Sequence, residues 1–150
     1  MGQVKDFMQI ALNHAQIAFE ADEVPVGAVI AKKDQVIATA ANAMKRLGDP
    51  TAHAEMIAIR KACEVLKQNR LIGCTLYVTL EPCPMCLSAI SFARLDAIYY
   101  GASDPKSGGV SAGNGLVGAR ALHHKPEIYE GFCEVESAAL LKAFFEQKRG

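Results

Sequence analysis

The sequence has no tryptophan, which decides little, and no apolar run long enough to cross a membrane, which decides more. A spanning helix needs roughly 18 to 20 consecutive apolar residues. The chain also lacks an excess of either charge: 16 Lys and Arg balance 16 Asp and Glu. That argues against a basic arm coating nucleic acid, although a local basic groove stays open. No charged flank precedes an apolar stretch near the N-terminus, because Lys5 and Asp6 interrupt the candidate region. No secretory signal is read, and cytoplasm is the expected compartment. A disulfide framework is missing too. The 5 cysteines are an odd set in a chain too large to need stapling, so metal or core roles are expected. Repeats, low-complexity tracts and linkers are absent, so residues 1–150 are expected to form a single domain. What remains is a chain of 150 residues that is 51% hydrophobic. That is too apolar for disorder and long enough to bury a core.

Periodicity predicts the elements. Val4, Phe7, Met8, Ala11, Ala15, Ala18 and Phe19 mark an amphipathic helix over 4–21. Residues 26–31 and 35–40 read as a hairpin around the polar turn Lys32-Lys33-Asp34. A polar loop follows over 42–50. A second helix is predicted over 52–68, with Asp49 or Thr51 as its cap. A strand over 74–80 leads through Pro82-Cys83-Pro84 into a third helix over 84–94, the proline fitting a first helical turn. Strands over 97–101 and 127–131 and a final helix over 134–148 complete the order. In that last helix Ala138, Leu141, Phe144 and Phe145 form the expected buried stripe. Late alternation of strand and helix implies parallel crossovers. The expected class is α/β: a three-layer α/β/α sandwich around a central mixed five-stranded sheet.

Two short clusters carry chemistry. Cys83 and Cys86 are three apart at a helix start, on one face and at the positive end of the helix dipole, which favours thiolate. Alone they also fit a redox pair or half of a structural zinc site. The second cluster is His53-Ala54-Glu55. Two thiolates and an imidazole suit zinc and leave a fourth tetrahedral position for water, the pattern of a catalytic site. Glu55, two residues from His53, points in a different direction on a regular helix. It makes a poor joint ligand and a good general acid/base beside an activated water. In isolation it would read as an ordinary first-turn Glu stabilising the helix dipole.

Together His53-x-Glu55 and Pro82-Cys83-x-x-Cys86 match the zinc deaminase signature. The likeness extends to Pro25-Val26-Gly27-Ala28-Val29, to Asp49-Pro50-Thr51-Ala52-His53-Ala54-Glu55, to Leu76-Tyr77-Val78-Thr79-Leu80-Glu81-Pro82-Cys83, to Tyr100-Gly101-Ala102, and to 138–145 near the end. Over nearly its whole length the chain resembles the bacterial tRNA-specific adenosine deaminases. That resemblance implies a cytidine-deaminase-like fold, a homodimer, and hydrolytic deamination of the wobble adenosine of a tRNA anticodon loop to inosine, with release of ammonia. It implies one Zn²⁺ per subunit held by His53, Cys83 and Cys86, with Glu55 as the proton carrier. Asn42, Val26, Ala54 and Pro82 are the implied substrate-binding positions. One segment departs from the usual family pattern: Ser107-Gly108-Gly109-Val110-Ser111-Ala112-Gly113-Asn114.

Loop cations supply a candidate phosphate-contacting rim: Lys45, Arg46, Lys106, Arg120 and Lys125, with His123 beside them. Lys106, Arg120 and His123 are the expected RNA contacts. His14, Cys63, Cys74 and Cys133 read as structural. Leu87, Ile90 and Phe92 on the third helix are expected to form an apolar face larger than one sheet covers, hence an interface. Two other readings stand beside the tRNA one. The same zinc chemistry would serve a free nucleobase or nucleoside such as guanine, cytosine or adenosine. A zinc-stabilised binding module would need a fourth protein ligand and leaves Glu55 unexplained.

Overall fold

The computed structural model describes residues 2–110, 122 and 124–149. The first apolar stripe forms α1 (Gly2–Glu20), with Phe7, Met8, Ala11, Ala15 and Ala18 buried along one helical face. β1 (Gly27–Lys32) and β2 (Gln35–Ala41) form the expected antiparallel hairpin. Gly27 is required there for space. A Cβ at that position would lie 1.9 Å from the Ala11 carbonyl oxygen of α1.

The region expected as a polar loop contains a one-turn helix, α2 (Met44–Leu47), ending at Gly48 with φ 58. The first amides of a helix have no partner within it. Here the buried Glu23 supplies one, accepting the Lys45 and Arg46 N–H groups at 3.0 and 2.6 Å. Sequence spacing carries no trace of that long-range contact. The next helix, α3 (Ala54–Leu66), starts two residues later than expected. Its cap position is His53, which makes no side-chain cap bond, so the expectation of Asp49 or Thr51 is corrected. Asp49 is used locally, accepting from the Thr51 amide and hydroxyl at 2.8 and 2.7 Å.

The remaining elements are β3 (Cys74–Leu80), α4 (Pro84–Ala93), β4 (Ala97–Ala102), β5 (Glu127–Tyr129) and α5 (Glu134–Arg149). They form one mixed sheet in the order β2-β1-β3-β4-β5. The β1–β3 pairing is antiparallel, while β3–β4 and β4–β5 are parallel. Alternate residues along each strand face opposite layers. Val29, Ala31 and Tyr77 pack with Phe7, Met8 and Ala11 of α1. Ala28, Ile30, Leu76, Val78, Ile98 and Tyr100 pack on the other side with α3 and α4. This is the expected three-layer sandwich.

Two packing expectations are corrected. In α5 the buried positions are Ser137 and Phe144, whereas Ala138 and Phe145 are exposed. The helix is rotated because the Ser137 hydroxyl accepts the Ala102 amide at 3.1 Å. In α4, Leu87 and Ile90 are fully buried within the sheet-facing core, and only Phe92, 70% exposed, points outward. No helix among the described residues is long and apolar enough to cross a membrane.

Candidate active site

The sheet brings the sequence clusters to one edge. β3 and β4 end side by side, with Leu80 opposite Ala102. β1 runs the other way and therefore starts at that same edge, where the Gly27 amide donates to Thr79 Oγ1 at 3.1 Å. β2 ends there as well, with Gly27 opposite Ala41. Just beyond this pairing the Asn42 amide donates to the Val26 carbonyl at 3.0 Å. The crevice outside the carboxyl ends of parallel strands is the usual ligand position in open α/β sheets.

The starts of α3 and α4 meet at this edge. His53 precedes α3, Cys83 precedes α4, and Cys86 lies in the first turn of α4. His53 Nδ1 is 3.6 Å from Cys83 Sγ and 3.5 Å from Cys86 Sγ. The three ligand atoms lie within 4.8 Å of one another. Tetrahedral zinc, with Zn–S about 2.3 Å and Zn–N about 2.0–2.1 Å, sets nitrogen and sulfur ligands about 3.6 Å apart. The donor set and its spacing therefore fit zinc. Among the described residues this cluster has those three members, and Cys63, Cys74 and Cys133 lie outside it. The closed site of a binding module thus lacks its fourth ligand among them.

Charge in the site is distributed unevenly. Cys83 is pulled down to about 4, first by the hydrogen bond from the Cys86 thiol and then, against burial, by His53. Cys86, as donor to that thiolate and deeply buried, is held far above the usual thiol range. His53 is raised, chiefly by its hydrogen bond with Cys83. Glu55 is buried and pushed up to about 7, mostly by desolvation, with the Cys83 charge adding to it. A carboxyl group near neutrality is suited to both accepting and donating a proton.

His53, Glu55 and Cys83 line a cavity together with Val26 and Asn42. Ala54 and Pro82 are buried and are not among its lining residues. Met44, Leu80, Glu81, Asp104 and Ser107 also line it, and sequence reasoning did not select them. Glu81 had a signal in its place next to Pro82-Cys83, and Ser107 in opening the segment that departs from the family pattern. Lys106 is exposed beside Ser107. Arg120 and His123 lie outside the described residues. The Lys45 ammonium is engaged by Asp22. Arg46 lines a separate cavity with His14 and Lys61.

Residues 1–102 match the family described as the cytidine and deoxycytidylate deaminase zinc-binding region. The chain belongs to this family. Among relatives of this deaminase, the tRNA-specific adenosine deaminase of Agrobacterium fabrum is 51% identical over 149 residues, covering 99% of this chain and 98% of that protein. The tRNA-specific adenosine deaminase of Aquifex aeolicus is 43% identical, covering 95% and 94%. A solved structure from work on adenosine-to-inosine editing by tRNA deaminases at the wobble position superposes with a TM-score of 0.89 at 52% identity, covering 91% of this chain and 99% of that one. The guanine deaminase structure from Bacillus subtilis matches less of the deaminase, with 46% identity, a TM-score of 0.63, and coverage of 65% and 63%. The cytidine-deaminase-like fold is thereby established.

Proposed function

We propose that this deaminase hydrolyses the wobble adenosine of a tRNA anticodon loop to inosine and ammonia, acting in the cytoplasm. The observation that carries the substrate is the 51% identity, over 99% of the chain, to a tRNA-specific adenosine deaminase. In this reading His53, Cys83 and Cys86 hold one Zn²⁺ per subunit, and Glu55 is the proton carrier. Zinc supplies the Lewis acidity that makes water nucleophilic near neutral pH.

The remaining steps belong to the chain's own side chains. The Glu55 carboxylate takes a proton from the attacking water and delivers it to N1 of the purine, while oxygen bonds to C6. It next takes the remaining proton from the oxygen now bonded to C6 and passes it to the exocyclic nitrogen. The C6–N bond breaks, ammonia leaves, and the C6 carbonyl of inosine forms, with N1 keeping the first proton. Asn42 and Val26 bracket the base, the amide as a hydrogen-bond partner and the isopropyl group as an apolar wall. An unpaired loop suits this cavity because its bases are splayed out without opening a duplex.

A free-base reading has one observation in its favour, the partial similarity to guanine deaminase. Kinetics on an anticodon stem-loop with a wobble adenosine, set against free adenosine, guanine and cytosine, separates the two. The stem-loop is expected to be the efficient substrate, with KM rising steeply with salt as phosphate contacts release counterions. Lys106, Arg120 and His123 are the proposed RNA contacts. Lys106→Ala should flatten the salt slope by about 0.7, the value per single-strand phosphate contact. Efficient turnover of a free base with the stem-loop ignored would overturn the tRNA assignment and leave the zinc chemistry standing.

The subunit is also proposed to work as a homodimer. The reading comes from the family resemblance; Phe92, Val65, Ile72 and Val135 are large apolar side chains that the single chain leaves exposed, at 70%, 60%, 59% and 79%. Sedimentation at micromolar concentration should give twice the 16.1 kDa chain mass. A monomer there would remove the proposal.

A further inference from the structure

We propose that Glu81 is a positioning residue whose buried carboxylate fastens residues 104–110 as a wall of the substrate cavity and so sets how firmly substrate is held. The inference rests on the deaminase reading and concerns that same site. Glu81 is 2% exposed and follows β3 directly, just before Pro82-Cys83. Its two carboxylate oxygens reach opposite ends of one segment. Oε1 accepts the Asp104 N–H at 2.9 Å and Oε2 accepts the Val110 N–H at 2.8 Å.

Between those points the segment folds on itself. The Gly108 amide donates to the Asp104 carbonyl at 2.8 Å, and Asp104 Oδ1 accepts the Lys106 and Ser107 amides at 3.2 and 3.1 Å. The Gly109 amide donates to the Pro82 carbonyl at 2.8 Å, tying the segment to the metal-ligand turn. Asp104 and Ser107 line the cavity with His53, Glu55 and Cys83. One carboxylate thus links the end of β3 to the side chains that face the substrate. Hydrogen bonds to an ionised acceptor are the stronger kind, and a half-satisfied buried carboxylate is costly.

Gly108 reports on the same contact. Its φ lies outside the left-handed region, so its backbone accepts alanine, but a Cβ there would lie 2.1 Å from Glu81 Oε2 and 2.2 Å from Cδ. The glycine is needed for the carboxylate's space, which makes the two positions a testable pair. Glutamine at 81 has a single acceptor oxygen, so its NH₂ would face one of the two backbone donors.

The experiment uses zinc-loaded full-length Glu81→Gln, Gly108→Ala, Glu81→Ala and Glu81→Ala/Gly108→Ala, with an anticodon stem-loop as substrate and amide hydrogen exchange as a second readout. Glu81→Gln and Gly108→Ala should each raise KM about tenfold with kcat within about threefold of the parent. Zinc should stay bound, and the Asp104 and Val110 amides should exchange faster. In the double variant the methyl group occupies the room the carboxylate left, so its KM should equal that of Glu81→Ala. Unchanged KM, additive effects in the double variant, or lost zinc with KM intact each overturn the proposal. Should Glu81→Gln fail to fold, Gly108→Ala still decides it. Exchange does not depend on turnover. If the parent protein leaves the stem-loop unconverted, the functional reading falls while the exchange result still tests Glu81.

Discussion

Glu55→Gln is expected to lower kcat by about 10²–10⁴-fold, the usual contribution of a general acid/base, with zinc and fold retained. Three features lead there. The side chain is 4% exposed and lines the cavity with His53 and Cys83, where a water on a metal held by the cluster would be within its reach. Its pKa is pushed up to about 7, first by burial, which places proton uptake and release within reach at neutral pH. It is not one of the three members of the ligand cluster. Glutamine keeps the volume and removes the proton-accepting oxygen pair, so packing along the start of α3 is conserved. Metal analysis and thermal denaturation should match the parent while single-turnover inosine formation collapses. Loss of zinc would make Glu55 a ligand. Near-normal turnover would put the base elsewhere.

The elements that sequence periodicity found are those whose burial is set by their own pattern. The stripe of α1 and the β-branched strands of the hairpin needed no partner to be read. The errors lie where a distant group decides. α2 is too short to show a period, and its first amides are satisfied by Glu23 from outside the segment. The phase of α5 follows a single hydroxyl, Ser137, bonded to β4. Leu87 and Ile90 belong to the core rather than to an interface, and hydrophobicity alone does not say which of two apolar directions meets the sheet.

The site divides the same way. His53 and Cys83-x-x-Cys86 were legible because a metal-ligand set would constrain residue type and local spacing, and Glu55 because it completes the deaminase signature with His53. That they meet across the end of β3 follows from strand order, which spacing does not encode and the family resemblance supplied. Beyond Val26 and Asn42, which the family resemblance implied, most of the cavity wall was illegible. Glu81 and Asp104 act through backbone amides whose positions exist only after the chain has folded.

Cys86→Ala is expected to remove stoichiometric zinc and with it all measurable turnover. Cys86 is fully buried and its sulfur stands 3.5 Å from His53 Nδ1, at the separation tetrahedral zinc requires. A site with three protein ligands has no spare. Cys63, Cys74 and Cys133 lie outside the cluster, so none is placed to substitute. Alanine leaves Cys83 and His53, two ligands facing a gap. Metal binding to the folded chain stabilises it in proportion to the logarithm of zinc over Kd, so added zinc should raise the melting temperature of the parent and leave that of Cys86→Ala unmoved. Cys83→Ala and His53→Ala should behave alike, whereas Cys63→Ala should bind zinc as the parent does. Full zinc content in purified Cys86→Ala would break the ligand assignment, because only a fourth donor beyond the cluster could then be holding the ion.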